Sequence, residues 1–253
     1  VWYEDEDEEI ILVDVSSYYP NLAYANKFHP AHIPIDVFMR VIHILYQQRM
    51  KGRDEGDEEM VKGIKLALNG ALYGKSNSEY SFMFDPQFMM LICVNGQLLL
   101  SMLAEQLVLK AKAKLIQVNT DGVMIKVARK NRHLVDQVTQ EWMRLTSLKL
   151  DYDHFRMIVQ RDVNNYFGIY TNGKKKYKGA FDYNYAKNGE WHKNFSMLIV
   201  AKALEAYYLT GIDPETYIKS HGNIYDFFLK TKFDKNTQLI AREYDGERIV
   251  SQE

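Results

Sequence analysis

Two carboxylates in this chain stand where metal chemistry is easily built. Asp14 ends an apolar run, Ile10 to Val13, fit for a buried strand. Asp121 lies at the tip of "LIQVNTDGVMIKV" (115–127), where two short apolar runs flank Asn119-Thr120-Asp121-Gly122 in the pattern of a hairpin. If the two strands are neighbours, both carboxylates reach one spot. Like charges that close repel unless a cation lies between them. Oxygen ligands with spare water positions suit Mg²⁺. Two such ions, about 3.5–4 Å apart, clamp an in-line phosphoryl displacement. Taken alone, the same two residues read more simply as a strand-end cap and a turn residue.

A second set is basic. Lys65 and Asn69 are four apart, so they share one face of a helix. A lysine there meets a triphosphate as a point charge, and Arg49, near the end of the preceding helix, supplies a second contact. The plain alternative is that both cations are solvated helix residues.

These residues need elements to hold them. Pro34 and Asp36 mark a helix start, with an apolar stripe at Phe38, Val41, Ile42 and Leu45. "GRDEGDEE" (52–59) is a polar turn, and Asp57, Glu58 and Glu59 suit the positive end of a second helix. Its stripe is Met60, Ile64, Ala67-Leu68 and Ala71, so residues 35–73 read as an antiparallel helix pair. A long helix follows at about 87–112. It is the most apolar stretch, broken by Asn95-Gly96-Gln97 and Glu105-Gln106, and is expected to be buried rather than to span a membrane. After the hairpin come a helix near 131–147 and strands within 155–171. "TNG" (171–173) is a turn signal. Helices are expected over 195–211, closed by Gly211, and over 214–230. Hairpins mixed with helices argue an α+β fold, an antiparallel sheet covered by helices.

Composition narrows the class. The single Cys93 rules out an internal disulfide, which fits a reducing compartment such as cytoplasm. The chain begins at Val1 rather than a methionine, as a fragment of a longer protein would. Net charge is −1, which does not advertise nucleic acid, but its distribution is uneven. Residues 1–14 hold seven acids and no base, leaving 26 of the 33 acids to face 32 Lys and Arg. Both the acidic run and the cluster Lys174, Lys175, Lys176 and Lys178 are expected to be solvated faces when each is taken alone.

The surroundings of the carboxylates change the reading. "DVSSYYPNL" (14–22) resembles motif A of the family B DNA polymerases, with Asp14, Ser17, Tyr19 and Pro20 at the motif's positions. "KLALNGALYGK" (65–75) resembles motif B, and "NTDG" (119–122) resembles motif C, whose usual form is Asp-Thr-Asp-Ser. The three occur in the family's order over roughly residues 10–180, most like phage enzymes with short fingers. The resemblance implies a polymerase palm (1–34 and 76–180), two-helix fingers (35–75) and a partial thumb (181–253). It implies Asp14 and Asp121 as catalytic metal ligands, with Val15 beside them, and two Mg²⁺ ions that Mn²⁺ can replace. It assigns Val15, Ser17, Tyr18, Tyr19, Arg49, Lys65, Asn69 and Tyr73 to the nucleotide, with Tyr19 as the steric gate against a 2′-hydroxyl. The implied partners are a primer–template DNA, a dNTP, an exonuclease domain and the rest of a thumb, with no membrane.

This chain departs from the pattern in several places. Asn119 replaces the first aspartate of motif C, and Gly122 replaces the usual Ser. In motif B the family spaces Asn and Tyr three apart, whereas Asn69 and Tyr73 are four apart. The extra residue turns a regular helix by about 100°, so either Tyr73 leaves the expected face or a π-bulge absorbs it. The family's primer-binding Lys-x-Tyr has two matches. "KKKY" (174–177) fits by letter. "NNY" (164–166) fits by order, because Lys178-Gly179 then takes its place on the following strand. Order favours Tyr166, with Asn164 in place of the lysine; the lysine run then touches phosphate backbone or faces water, and the resemblance also assigns Thr120 to the DNA. Asp7-x-Glu9 and His29-x-x-His32 have the letters of exonuclease and metal motifs, but their settings read as surface and structural. The rivals are a reverse transcriptase, which expects two adjacent aspartates at the hairpin, and a non-catalytic nucleic-acid-binding remnant, against which both Asp14 and Asp121 argue.

Overall fold

The structure is a computed structural model that describes residues 1–70, 74–183, 196–229, 239–243 and 246–250. It is α+β. Two compact units divide the chain: residues 1–163 with 168–176, and residues 164–167 with 177–253.

The first unit is built on an antiparallel sheet whose central strand is β2 (Glu8–Val15). β2 pairs antiparallel with β4 (Gly122–Ala128) on one side and β5 (Leu150–Asp162) on the other. β3 (Lys114–Val118) extends the sheet beyond β4, and β1 (Trp2–Tyr3) pairs with β5. The division between units passes through β6 (Asn165–Tyr170) and β7 (Lys175–Lys178). Gly173, with φ at +82°, makes the expected turn between them.

Alternation along β2 sorts its side chains. Ile11, Val13 and Val15 join the core formed with α1 (Tyr18–Asn26), α4 (Pro86–Leu109) and α5 (Arg132–Thr146). Ile10 and Leu12 point to the opposite face and pack with Met124, Phe155 and Ile158. Asp14 continues that second row. α2 (Ile35–Asp54) and α3 (Glu58–Asn69) pack on each other, and Asp57 caps α3 by accepting from the Met60 N–H at 2.9 Å.

Several expectations change. Pro20, read from sequence as the end of the segment that opens with Ile10 to Val13, instead lies inside the first turn of the helix over residues 18–26, where its missing N–H costs nothing. α4 is buried on one face only. Ile92, Leu100, Leu103 and Leu107 are in the core, while Met90, Leu98 and Leu109 are 52%, 58% and 56% exposed. By length and composition alone α4 is long and apolar enough to cross a membrane. β5 begins at Leu150, five residues before the strand read from sequence. The acidic N-terminal run is paired rather than simply solvated. Lys126 sits 3.0 Å from both Asp5 and Glu8, Lys114 is 2.9 Å from Glu8, and Arg129 is 3.3 Å from Glu4. Glu9 is nearly buried, with Arg132 and His154 each 3.6 Å away. His32 meets the Phe82 carbonyl at 2.7 Å, a structural role.

In the second unit, α6 (Leu198–Thr210) ends at Gly211 in the left-handed conformation, as expected. α7 (Pro214–Ser220) is shorter than the helix expected over 214–230, since Gly222 and Asn223 break the pattern. β8 (Leu239–Glu243) and β9 (Gly246–Val250) form a separate antiparallel pair.

Candidate active site

The register of the sheet brings the carboxylates together. Asp14 lies directly opposite Gly122 on β4 and opposite Asp151 on β5. Asp121 immediately precedes Gly122, and its carbonyl accepts from the Val15 N–H at 2.7 Å. The hairpin tip is held by the Asn119 N–H donating to the Gly122 carbonyl at 2.8 Å. Gly122 matters sterically: a β-carbon there would stand 2.7 Å from Asp14 Oδ1 and 3.1 Å from the Val13 carbonyl. Its missing side chain leaves the space that the Asp14 carboxylate occupies.

Burial first and the neighbouring Asp121 second, with smaller upward pushes from Asp151 and Asp153 and opposition from Lys176, together hold the Asp14 carboxyl at about 6. Lys176 is itself shared with Asp153 at 3.7 Å. The negative charge here is therefore only partly compensated.

Positive charge faces it from the helices. A cleft of about 450 Å³ is lined by Asp14, Val15, Ser17, Tyr18, Tyr19, Arg49, Lys65, Asn69 and Asp121, together with Ser16, Pro20, Arg53 and Asp151. Every described residue assigned from the sequence to catalysis, metal or nucleotide is thus on one wall or another of a single cleft. Arg49 is 7% exposed; it donates to the Ser17 hydroxyl, and its Nε has no hydrogen-bond partner. A buried guanidinium with a neutral partner and an unmet N–H is poised for an anion. Desolvation and neighbouring Arg53 lower its pKa. Ser17 adopts a left-handed conformation (φ 47°, ψ 52°) as the chain turns from β2 into α1, a strained state for a non-glycine residue. Val15 is buried in the core cluster and also lines the cleft.

In an extended segment Tyr18 and Tyr19 would point to opposite faces; because they open a helix instead, their rings stack at 5.6 Å and 21°. Tyr18 is buried and donates to the Gly96 carbonyl at 2.5 Å. Tyr19 borders both the cleft and a neighbouring cavity of about 400 Å³ lined by Gln97, Asn119 and Thr120. Thr120 is therefore on that second cavity and not on the cleft.

Tyr73 lies outside the described residues. Just beside it, the Lys75 N–H donates to the Gly70 carbonyl at 2.7 Å, a bond with π-helical spacing. The sequence reading missed Asp151, Arg53 and Ser16, whose hydroxyl donates to Asp151. A signal for Asp151 was present: Leu148, Leu150 and Tyr152 alternate with charged residues.

The residues assigned to DNA fall in both units. Lys174, Lys175 and Lys176 belong to the first. Lys174 is exposed, whereas Lys176 is partly buried with its ammonium 5.8 Å from the Phe155 ring centre. Asn164, Tyr166 and Lys178 belong to the second. Tyr166 is buried, with Lys178 5.9 Å over its ring. Tyr177, the alternative match, donates to buried Glu205 at 2.8 Å.

Among the described residues, no three or more His, Cys, Asp or Glu side chains converge as a metal-ligand set. A hard cation at Asp14 and Asp121 would need water, backbone or substrate oxygens to complete its shell, which is how Mg²⁺ is commonly held. The donor set is all oxygen and carries excess negative charge, so the residues present fit such an ion.

Among known proteins, the chain matches no family model and no curated protein.

Proposed function

We propose that this chain is the core of a template-directed DNA polymerase of the family B type, adding dNMP units to a primer 3′ end. The observation that carries this reading is the single cleft in which Asp14 and Asp121 face Arg49, Lys65 and Asn69. On this reading the sheet of the first unit is the palm, α2 and α3 are the fingers, and the second unit leads into a thumb. The host cytoplasm would be its place of work.

The 3′-hydroxyl oxygen attacks the α-phosphorus; the new O–P bond forms as the α–β bridging bond breaks and pyrophosphate leaves. Magnesium held by Asp14, Asp121 and the Val15 backbone would supply charge neutralisation and lower the hydroxyl pKa. Arg49, Arg53 and Lys65 bind and orient the triphosphate, acting by position and charge. The Tyr19 ring, braced from behind by Tyr18, excludes a 2′-hydroxyl. Since the rings stack, Tyr18→Ala is expected to loosen the gate as well, unlike a residue on the far face.

Primer extension with Mg²⁺ on matched DNA and RNA templates tests the proposal. Extension with dNTPs on DNA is expected. Extension only on RNA would point to a reverse transcriptase, and duplex binding without extension to a non-catalytic remnant.

A further inference from the structure

Beside the cleft runs a groove larger than the cleft itself, about 800 Å³, between α1, α2 and the segment just before β5. The two share a border at Ser16. Ser16 lines the cleft, while its carbonyl accepts from Asn21 at 2.7 Å and its N–H donates to the Lys149 carbonyl at 3.0 Å; Asn21 and Lys149 line the groove. None of the groove residues takes part in the chemistry described above.

Its lining is largely apolar and carries the aromatic rings Tyr24, His43 and Tyr46, with two lysines against one carboxylate, Asp36. Tyr24 is 45% exposed and stacks with His43 at 6.0 Å and 21°. Tyr46 stands on the same helix as His43, one turn on, and lines the groove together with the buried Ile42. Lys27 and Lys149 stand among the lining residues. Aromatic rings beside lysines are how proteins hold unpaired nucleic acid without reading sequence: any base has a face to stack, and the ammonium groups meet the backbone. A duplex offers no free base faces, so its bases cannot use such rings. We infer that this groove binds the unpaired template strand just beyond the templating position, with bases on Tyr24 and Tyr46 and phosphates at Lys27 and Lys149. The inference rests on the polymerase reading for the identity of the strand, and on the lining alone for its chemistry.

The test uses the full chain and two probes: a primer–template that is blunt or carries a ten-nucleotide template overhang, and a dT oligomer without metal or nucleotide. Wild type should bind the overhang substrate more tightly than the blunt one. The double variant Tyr24→Ala/Tyr46→Ala should lose that gain, by about tenfold for each base stack removed, and should bind blunt duplex as wild type does. Tyr24→Phe/Tyr46→Phe keeps the rings and should keep the gain, which separates lost stacking from lost folding. Lys27→Gln/Lys149→Gln should flatten the salt dependence of dT binding by about 0.7 per lost phosphate contact in log–log slope. An alanine variant that retains the overhang gain, or loses blunt and overhang binding alike while Phe restores neither, overturns the inference. A protein segment as the true occupant would give the first of these results. If no primer is extended but dT binding still falls in the alanine variant, the groove stands and the polymerase reading falls. Normal extension with unchanged overhang binding gives the reverse.

Discussion

The two ends of β2 carry similar clusters of acid with opposite electrostatics. At the start of the strand, Asp5 and Glu8 share Lys126, and Glu8 also takes Lys114. Hydrogen bonds to those lysines lower the pKa of both carboxyls. At the other end, Asp14 meets Asp121 and Asp151, opposed among the described residues by a Lys176 that is shared with Asp153, and its pKa rises to about 6. One strand thus begins in a cluster that folding completes and ends in one that folding leaves short of positive charge. The first is structure. The second is what a site for a cation needs before the ion arrives.

The sharpest way to break the contrast is to remove the unpaired charge. Asp14→Asn or Asp121→Asn is expected to cut primer extension by about a thousandfold or more, while Glu8→Gln leaves it near wild type. Single-turnover extension on one primer–template measures both. If Asp14→Asn extends as well as Glu8→Gln, the two ends of β2 are functionally alike and the contrast fails.

Next in size is the space around Asp14. Gly122→Ser would install the residue that motif C carries in the family the chain resembles, but its β-carbon would crowd Asp14 Oδ1 and the Val13 carbonyl. The displaced carboxylate should slow extension by about ten- to a hundredfold, with little change in duplex affinity. Full activity in Gly122→Ser would mean that Asp14 works from another rotamer.

The smallest effect concerns stability, and here the two ends should differ in sign. Asp14 has a folded pKa near 6, above its ordinary 3.8, so the folded state holds the extra proton between those values. Without divalent metal, its contribution to stability should fall as pH rises from about 4 to 6 and then level off. Asp5 and Glu8 have folded pKa values below their ordinary 3.8 and 4.5, so their contribution is present above those values and lost as pH falls through the lowered ones. Melting curves across pH 3–7 should therefore show Asp14→Asn gaining on wild type as pH rises through 4–6. Lys126→Met should lose ground to wild type as the N-terminal acids ionise. Added Mg²⁺ should favour wild type over Asp14→Asn alone. Parallel melting profiles for both variants would remove the electrostatic distinction between the two ends.

Much was legible in the residues themselves. The apolar run before Asp14 and the alternation around Asp121 announce their strands, because a strand buried on both faces must be continuous and a hairpin needs a polar tip. The four-residue spacing of Lys65 and Asn69 places both on one helix face, and both line the cleft. Asp57 ahead of α3 and Gly211 after α6 mark helix ends through local backbone chemistry that needs no partner. What the sequence could not settle was every fact that depends on which strand lies beside which. Asp151 reads as one charged residue in an alternating segment until register sets it opposite Asp14. Gly122 reads as a loose turn until the same register shows that its missing β-carbon makes room for the Asp14 carboxylate. The N-terminal acids looked solvated because Lys114 and Lys126 are more than a hundred residues away along the chain and meet them only across the sheet. α4, apolar nearly throughout, gave no sign of which side would be covered, since periodicity requires a polar face and this helix has almost none. Sequence determines such local preferences because they arise within a few residues. Charge compensation and steric room arise between distant residues, so only the tertiary structure decides them.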